Sequence, residues 1–167
     1  NKHVEDHHRR TREIRLRIFD KAVAEEKVIP GKKAPDIVLS DTAGEPFSLK
    51  SYTGYPVVVC FWAGWNAQSR MDNRKLVKMY DNLREDGIKI LGVSLDENEV
   101  VWKGAVKLDS LPWKQVNDPG GLDAEVKKDY NLPDELPFYY LLDRDLKIRY
   151  KNNDLDSLLI QLDKLFL

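Results

Sequence analysis

Pro56-Val57-Val58-Val59-Cys60-Phe61-Trp62-Ala63-Gly64-Trp65-Asn66-Ala67-Gln68-Ser69-Arg70 is the stretch that decides the fold. Its first seven residues are β-branched, aromatic or otherwise apolar after the proline, with no alternation. That is the pattern of a central strand buried on both faces. From Asn66 to Asp86 the period changes. Met71, Leu76, Met79, Tyr80 and Leu83 recur as the apolar side of a helix, and Gly87 sits where a helix ends. Asn66 stands at the junction. Asn is a preferred helix N-cap, and its side chain is expected to accept the backbone N–H of Ser69.

Working outward, Ile88 to Leu95 reads as a second apolar strand and Glu97 to Leu108 as a second helix. Trp113 to Val116 is a short strand and Leu122 to Tyr130 a short helix. Phe138 to Leu142 and Lys147 to Tyr150 are strands joined by Asp143-Arg144-Asp145-Leu146, and Leu155 to Leu167 is a closing amphipathic helix. Upstream, Asp36 to Ser40 and Pro46 to Lys50 flank Asp41-Thr42-Ala43-Gly44, a hairpin signature. Alternating strands and helices predict parallel pairs with right-handed crossovers, and the last two strands are close enough for an antiparallel hairpin. The expected fold class is α/β, with a mixed central sheet flanked by helices.

Residues 1–30 differ in character and are assigned as an N-terminal amphipathic helix and linker, leaving 31–167 as one domain. Arginines alternate with acids from His3 to Glu26, while Ile14, Ile18 and Ala22 recur every four residues beside Leu16, Phe19 and Val23. Such a helix is expected to pack on the domain or to bridge from a preceding one. Pro30-Gly31 closes the segment. The 27 basic and 28 acidic side chains leave a formal charge of −1, so no global field attracts nucleic acid. No apolar run approaches the ~20 residues that span a bilayer. His3 and His7 stand four apart without further ligands, so they read as a solvated helix face; neither a metal nor a cofactor is expected.

Phe61-Trp62-Ala63-Gly64-Trp65-Asn66-Ala67-Gln68-Ser69-Arg70 resembles the F-W-A-x-W-C-x-P-C-R segment of the thioredoxin superfamily. Gly92-Val93-Ser94-Leu95-Asp96 and Leu136-Pro137-Phe138-Tyr139-Tyr140-Leu141-Leu142-Asp143 resemble two further segments of it. From about Gly31 to Leu167 the chain is similar to the TlpA/ResA-like branch, related to the AhpC/TSA group. The resemblance implies a thioredoxin-like fold with an N-terminal hairpin, a cis Leu136-Pro137 bond that orients an extended peptide, and a bacterial periplasm or cell-envelope setting. It also implies a pair of cysteines for disulfide exchange, where a helix N-terminus stabilises the first thiolate and the second resolves the mixed disulfide. Here those positions are Asn66 and Ser69. Gln68 replaces the intervening proline, Arg74 a helix-kinking proline, and Leu146 a hairpin glycine.

The chain holds one cysteine, Cys60, and cannot exchange disulfides by itself. Cys60 lies inside the apolar strand and reads as a buried small residue; a single-cysteine peroxidase would need it exposed beside a cation. Asp72 reads as a helix-surface carboxylate. No histidine falls within 31–167 to activate Ser69 or Cys60. Trp62, Trp65 and Tyr139 or Tyr140 either frame an aromatic docking surface or seal the core. The resulting expectation is a redox-inactive domain, not an enzyme by itself. It would bind a protein or peptide at the former active-site groove through Trp65, Asn66, Gln68, Ser69, Leu136 and Pro137, with an upstream domain expected in the full-length protein. The alternative is a thiol-disulfide oxidoreductase whose cysteines come from a partner or have been substituted.

Overall fold

The computed structural model describes all 167 residues. In chain order its elements are α1 (Lys2–Glu26), β1 (Val38–Asp41), β2 (Pro46–Ser48), β3 (Val57–Trp62), α2 (Ala67–Glu85), β4 (Lys89–Ser94) and α3 (Glu99–Leu108). Then follow β5 (Lys114–Asn117), α4 (Glu125–Asp129), β6 (Phe138–Leu142), β7 (Ile148–Asn152) and α5 (Leu155–Phe166). The strands form one sheet in the order β2-β1-β5-β4-β3-β6-β7. Every residue of β3 is buried, as its unbroken apolar run requires. Full burial of each valine there stabilises by about 2 kcal/mol.

β3 pairs in parallel with β4, and β4 in parallel with β5. Two right-handed crossovers that step the same way across a sheet put their helices on one face. Leu76 and Leu83 of α2 accordingly share a core with Trp102 of α3, Leu158 of α5, and Val58 and Trp62 of β3. The opposite face is covered by Val126 of α4 and by chain segments around Val28, Ile37 and Leu49. Strand alternation also suggests a parallel β6, but β6 runs antiparallel to β3. β1 already occupies the outer side of β5 through Ser40↔Asn117 and Asp41↔Val116, so the chain crosses to the open side of β3.

Several boundaries depart from the sequence expectation. The first strand starts at Val38 rather than Asp36. The second stops at Ser48, whose hydroxyl accepts the Lys50 N–H, and Leu49–Tyr52 wind into a 3-10 turn. The helix expected over Leu122 to Tyr130 is split. Ala124 takes an extended conformation between a 3-10 turn at Gly121–Asp123 and α4. Leu146 holds a left-handed φ of 60° in the late hairpin. Its side chain is buried in the core, which offsets the strain that a glycine would avoid.

Of the two expectations for α1, packing on the domain or bridging from a preceding one, the first is not realised. The helix has no buried residue, and Ile18 and Phe19 are 64% and 65% exposed. Arg12, Arg15 and Glu26 interrupt its apolar side, so it offers no continuous stripe to bury. It is tied down only near its end, where Glu25 accepts bonds from Asn131 and Lys151. Beyond it, Val28 is fully buried and the Gly31 N–H bonds to the Ile148 carbonyl at 2.7 Å. No helix is long and apolar enough to cross a membrane.

Candidate functional site

The step from β3 to α2 is a tight loop whose polar backbone groups are held by side chains. The Asn66 side chain caps α2, accepting the Ser69 N–H at 2.7 Å. The Ser69 hydroxyl oxygen in turn accepts the Ala63 N–H at 3.4 Å. The Gly64 N–H donates to both carboxylate oxygens of Asp96, at 2.8 and 2.9 Å, and the Ser94 hydroxyl donates to the same carboxylate. The Gly64 carbonyl accepts from Arg70 at 3.1 Å. Arg70 also pairs with Asp109 at the end of α3, where Arg74 joins at 3.2 Å. Asp109 is held below the usual carboxylate range, first by its hydrogen bond from Arg70. Behind the loop, Gln115 accepts the Trp62 indole N–H at 3.0 Å. Its amide lies over Gly92, where a Cβ would come within 2.3 Å of it, so a side chain at position 92 would push the Gln115 amide from this place.

This geometry defines what the loop can do. At a helix N-terminus the free N–H groups and dipole would stabilise an anion, but the Ser69 N–H is already taken by an uncharged amide. Ser69 has no exposed surface, and its hydroxyl meets no base. Cys60 is buried in β3, and burial pushes its thiol up, with the Asp72 carboxylate adding to the effect. A peroxide-reactive thiol would need exposure and a cationic neighbour; Cys60 is buried and faces a carboxylate.

One reading of a nearby residue is corrected, and one open alternative is decided. Asp72 is not a free surface group: it is half-buried and accepts Tyr139 Oη at 2.6 Å and Gln68 Nε2 at 2.8 Å. Of the two alternatives for Tyr139 and Tyr140, sealing the core is the one realised, because both are buried in the interior strand β6. Tyr139 points its hydroxyl at Asp72, and Tyr140 donates to the Tyr130 carbonyl.

Trp65 is the exposed aromatic of the loop at 62%, and Gln68 is exposed beside it. The Leu136-Pro137 bond is cis, and both residues are buried. Trp65 and Leu136 meet across a cleft of about 360 Å³ that is also lined by Leu95, Asp96, Glu97, Asn98, Val101, Gly121 and Leu122. Asn66, Gln68, Ser69 and Pro137 do not line it. The cleft is therefore built as much from the β4–α3 loop and the turn at Gly121 as from the motif that sequence reading singled out. Nothing local announces those residues, since they meet Trp65 only through the fold.

The AhpC/TSA family matches residues 30–151. The chain is 32% identical over 124 residues to the thiol-disulfide oxidoreductase ResA of Bacillus thuringiensis subsp. konkukian, covering 74% of this chain and 69% of that protein. The thioredoxin domain of a thiol-disulfide oxidoreductase from Bacteroides vulgatus aligns with a TM-score of 0.76 at 30% identity, over 84% of this chain and 99% of its own. A thiol-disulfide oxidoreductase from Bacteroides fragilis aligns at 0.73, again with 30% identity, over 80% and 99%. The family match begins at Pro30 and runs through all of the sheet but the last residue of β7, so the chain belongs to the AhpC/TSA family, as a TlpA/ResA-like member of the thioredoxin superfamily.

Proposed function

We propose that this chain is a redox-inactive thioredoxin-like domain, acting as a binding or structural module in the bacterial cell envelope. One observation carries the reading: the two positions that would hold the dithiol are an amide that caps α2 and a buried hydroxyl, and the lone thiol is sealed in β3. The envelope setting follows the TlpA/ResA-like resemblance. The relative from Bacteroides vulgatus is one domain of its protein, and a further domain joined to this chain through α1 belongs to the reading.

The test is reduction of insulin by dithiothreitol in the presence of the purified chain. Turnover equal to the protein-free blank is expected; turnover above it would defeat the reading. A thiol reagent should modify Cys60 only as the protein unfolds, and rapid labelling of the native chain would bring back the single-cysteine peroxidase. The second reading, an oxidoreductase working with a partner's cysteines, is favoured by the relatives being thiol-disulfide oxidoreductases. It predicts that this chain accelerates a partner's disulfide exchange while remaining inert alone.

A further inference from the structure

The cleft beside Trp65 combines apolar walls with a one-signed rim. Trp65, Leu122 and Val101 line it while remaining 62%, 52% and 40% exposed, so they present apolar surface that the domain itself does not cover. Its charged lining is Asp96 and Glu97 alone; no lysine or arginine contributes. Asp96 is committed to the Gly64 N–H and to Ser94. Glu97 is placed differently. Its carboxylate lies against Gly121, where a Cβ would sit 2.4 Å from Oε1, so the absence of a side chain at Gly121 makes that room. Glu97 is thus laid along the cleft without a cationic partner.

The surroundings extend the same sign. The two segments that wall the cleft, 95–99 and 118–136, hold nine carboxylates and two lysines, a formal charge of −7 in a chain whose total is −1. Glu99 is neutralised by Lys103 and Asp134 by Lys127. Exposed Asp123, Glu125 and Glu135 form no ion pair, like Glu97. Charges concentrated around a low-dielectric cleft focus their field and select the sign of what enters.

Resting on the reading of this domain as a binding module, we propose that the cleft receives a basic polypeptide segment, one apolar side chain of which seats between Trp65 and Leu122 while a neighbouring lysine or arginine meets Glu97. The apolar walls provide the anchor, and the carboxylates set the charge preference. Trp62, Trp102 and Trp113 are buried, so a shift of tryptophan emission reports Trp65.

The experiment titrates the full chain with two synthetic peptides, acetyl-Gly-Arg-Leu-Phe-Lys-Gly-amide and acetyl-Gly-Glu-Leu-Phe-Glu-Gly-amide, at low and at moderate salt. The basic peptide should shift the emission to the blue and bind roughly tenfold more tightly than the acidic one at low salt. That gap should close as the screening length falls below about 10 Å. Glu97→Lys should remove the preference without changing the melting temperature, and Trp65→Ala should abolish the shift. Equal binding of the two peptides, or binding of neither, overturns the proposal. So does concentration-dependent self-association in sedimentation that Trp65→Ala abolishes, because the cleft would then belong to a second copy. None of these outcomes depends on insulin reduction, so the charge preference and the loss of redox chemistry fail separately.

Discussion

The loop between β3 and α2 and the helix α1 are opposites. Within a few residues of the loop, Asn66, Ser69, Asp96 and Arg70 each hold a backbone group from outside the regular hydrogen-bond ladders. α1 is 25 residues long and buries none of them. One segment is fixed by side chains of its own helix and by Asp96 from a distant loop; the other is held to the domain only through Glu25 near its end. The two positions that align with the cysteines of similar proteins are not a relaxed part of the surface: Asn66 caps α2 and Ser69 holds the Ala63 N–H. The loop's shape is kept by polar contacts that never needed the cysteines. Four changes break or sharpen this contrast.

The largest effect should come from returning the sulfur. If the loop is intact and only its chemistry is missing, Asn66→Cys with Ser69→Cys places two thiols one turn apart at a helix N-terminus, which lowers the pKa of the first. Insulin reduction should rise at least about tenfold above the blank, whereas either single variant should stay at the blank because the mixed disulfide has no resolving partner. A double variant that folds and remains inert would show that the present side chains have altered the loop.

Next is the pin itself. The Asp109 side chain is 3% exposed and that of Arg70 19%. Asp109→Asn leaves a largely buried guanidinium without its counter-charge and should cost about 3 kcal/mol in chemical denaturation. Arg74 adds little to that, since its side chain is 58% exposed. The pH dependence has a defined sign. Asp109 is depressed in the folded state, so its contribution is fully present above the unfolded carboxylate pKa near 3.9 and is lost as pH falls through the lower folded value. The acid limb of the stability profile should therefore be shallower in Asp109→Asn than in the parent.

How much of this was legible in sequence follows from the range of each interaction. The strand at Val57–Trp62 and the cap at Asn66 are local signals, an unbroken apolar run and a three-residue spacing, and both are realised. Asp96 reaches Gly64 across 32 positions, and Arg70 reaches Asp109 across 39. Polar contacts at that separation leave no periodicity to read. Asp72 reads as a surface group from its own helix alone; Tyr139 reaches it from another element. Burial of Tyr139 and Tyr140 did have a signal: Phe138 to Leu142 lacks alternation just as Val57 to Trp62 does. The cleft beside Trp65 had none, because three separate segments of the chain build it.

A smaller change tests the cap. Asn66→Ala removes the acceptor of the Ser69 N–H and should cost about 1 kcal/mol, while Asn66→Asp, an equally good cap, should be close to neutral. Both should remain at the blank in insulin reduction. A larger loss in Asn66→Asp than in Asn66→Ala would mean that the site rejects negative charge, contrary to the helix-end argument.

The smallest effect is expected at α1. Deleting residues 1–22 removes most of a helix that buries nothing and keeps Glu25 with its bonds to Lys151 and Asn131. Denaturation free energy should change by less than about 0.5 kcal/mol, as for surface changes elsewhere, even though the far-ultraviolet helix signal falls. That separation of helix content from stability is the discriminating result. A helix short of tertiary partners is marginal in water, so the α1 region should also exchange its amide hydrogens far faster than β3 in the parent. If the deletion instead lowers stability by a kilocalorie or more, or if α1 proves protected, its Ile14, Ile18 and Phe19 are covered in solution, and the contrast between the pinned loop and the unsupported helix is lost.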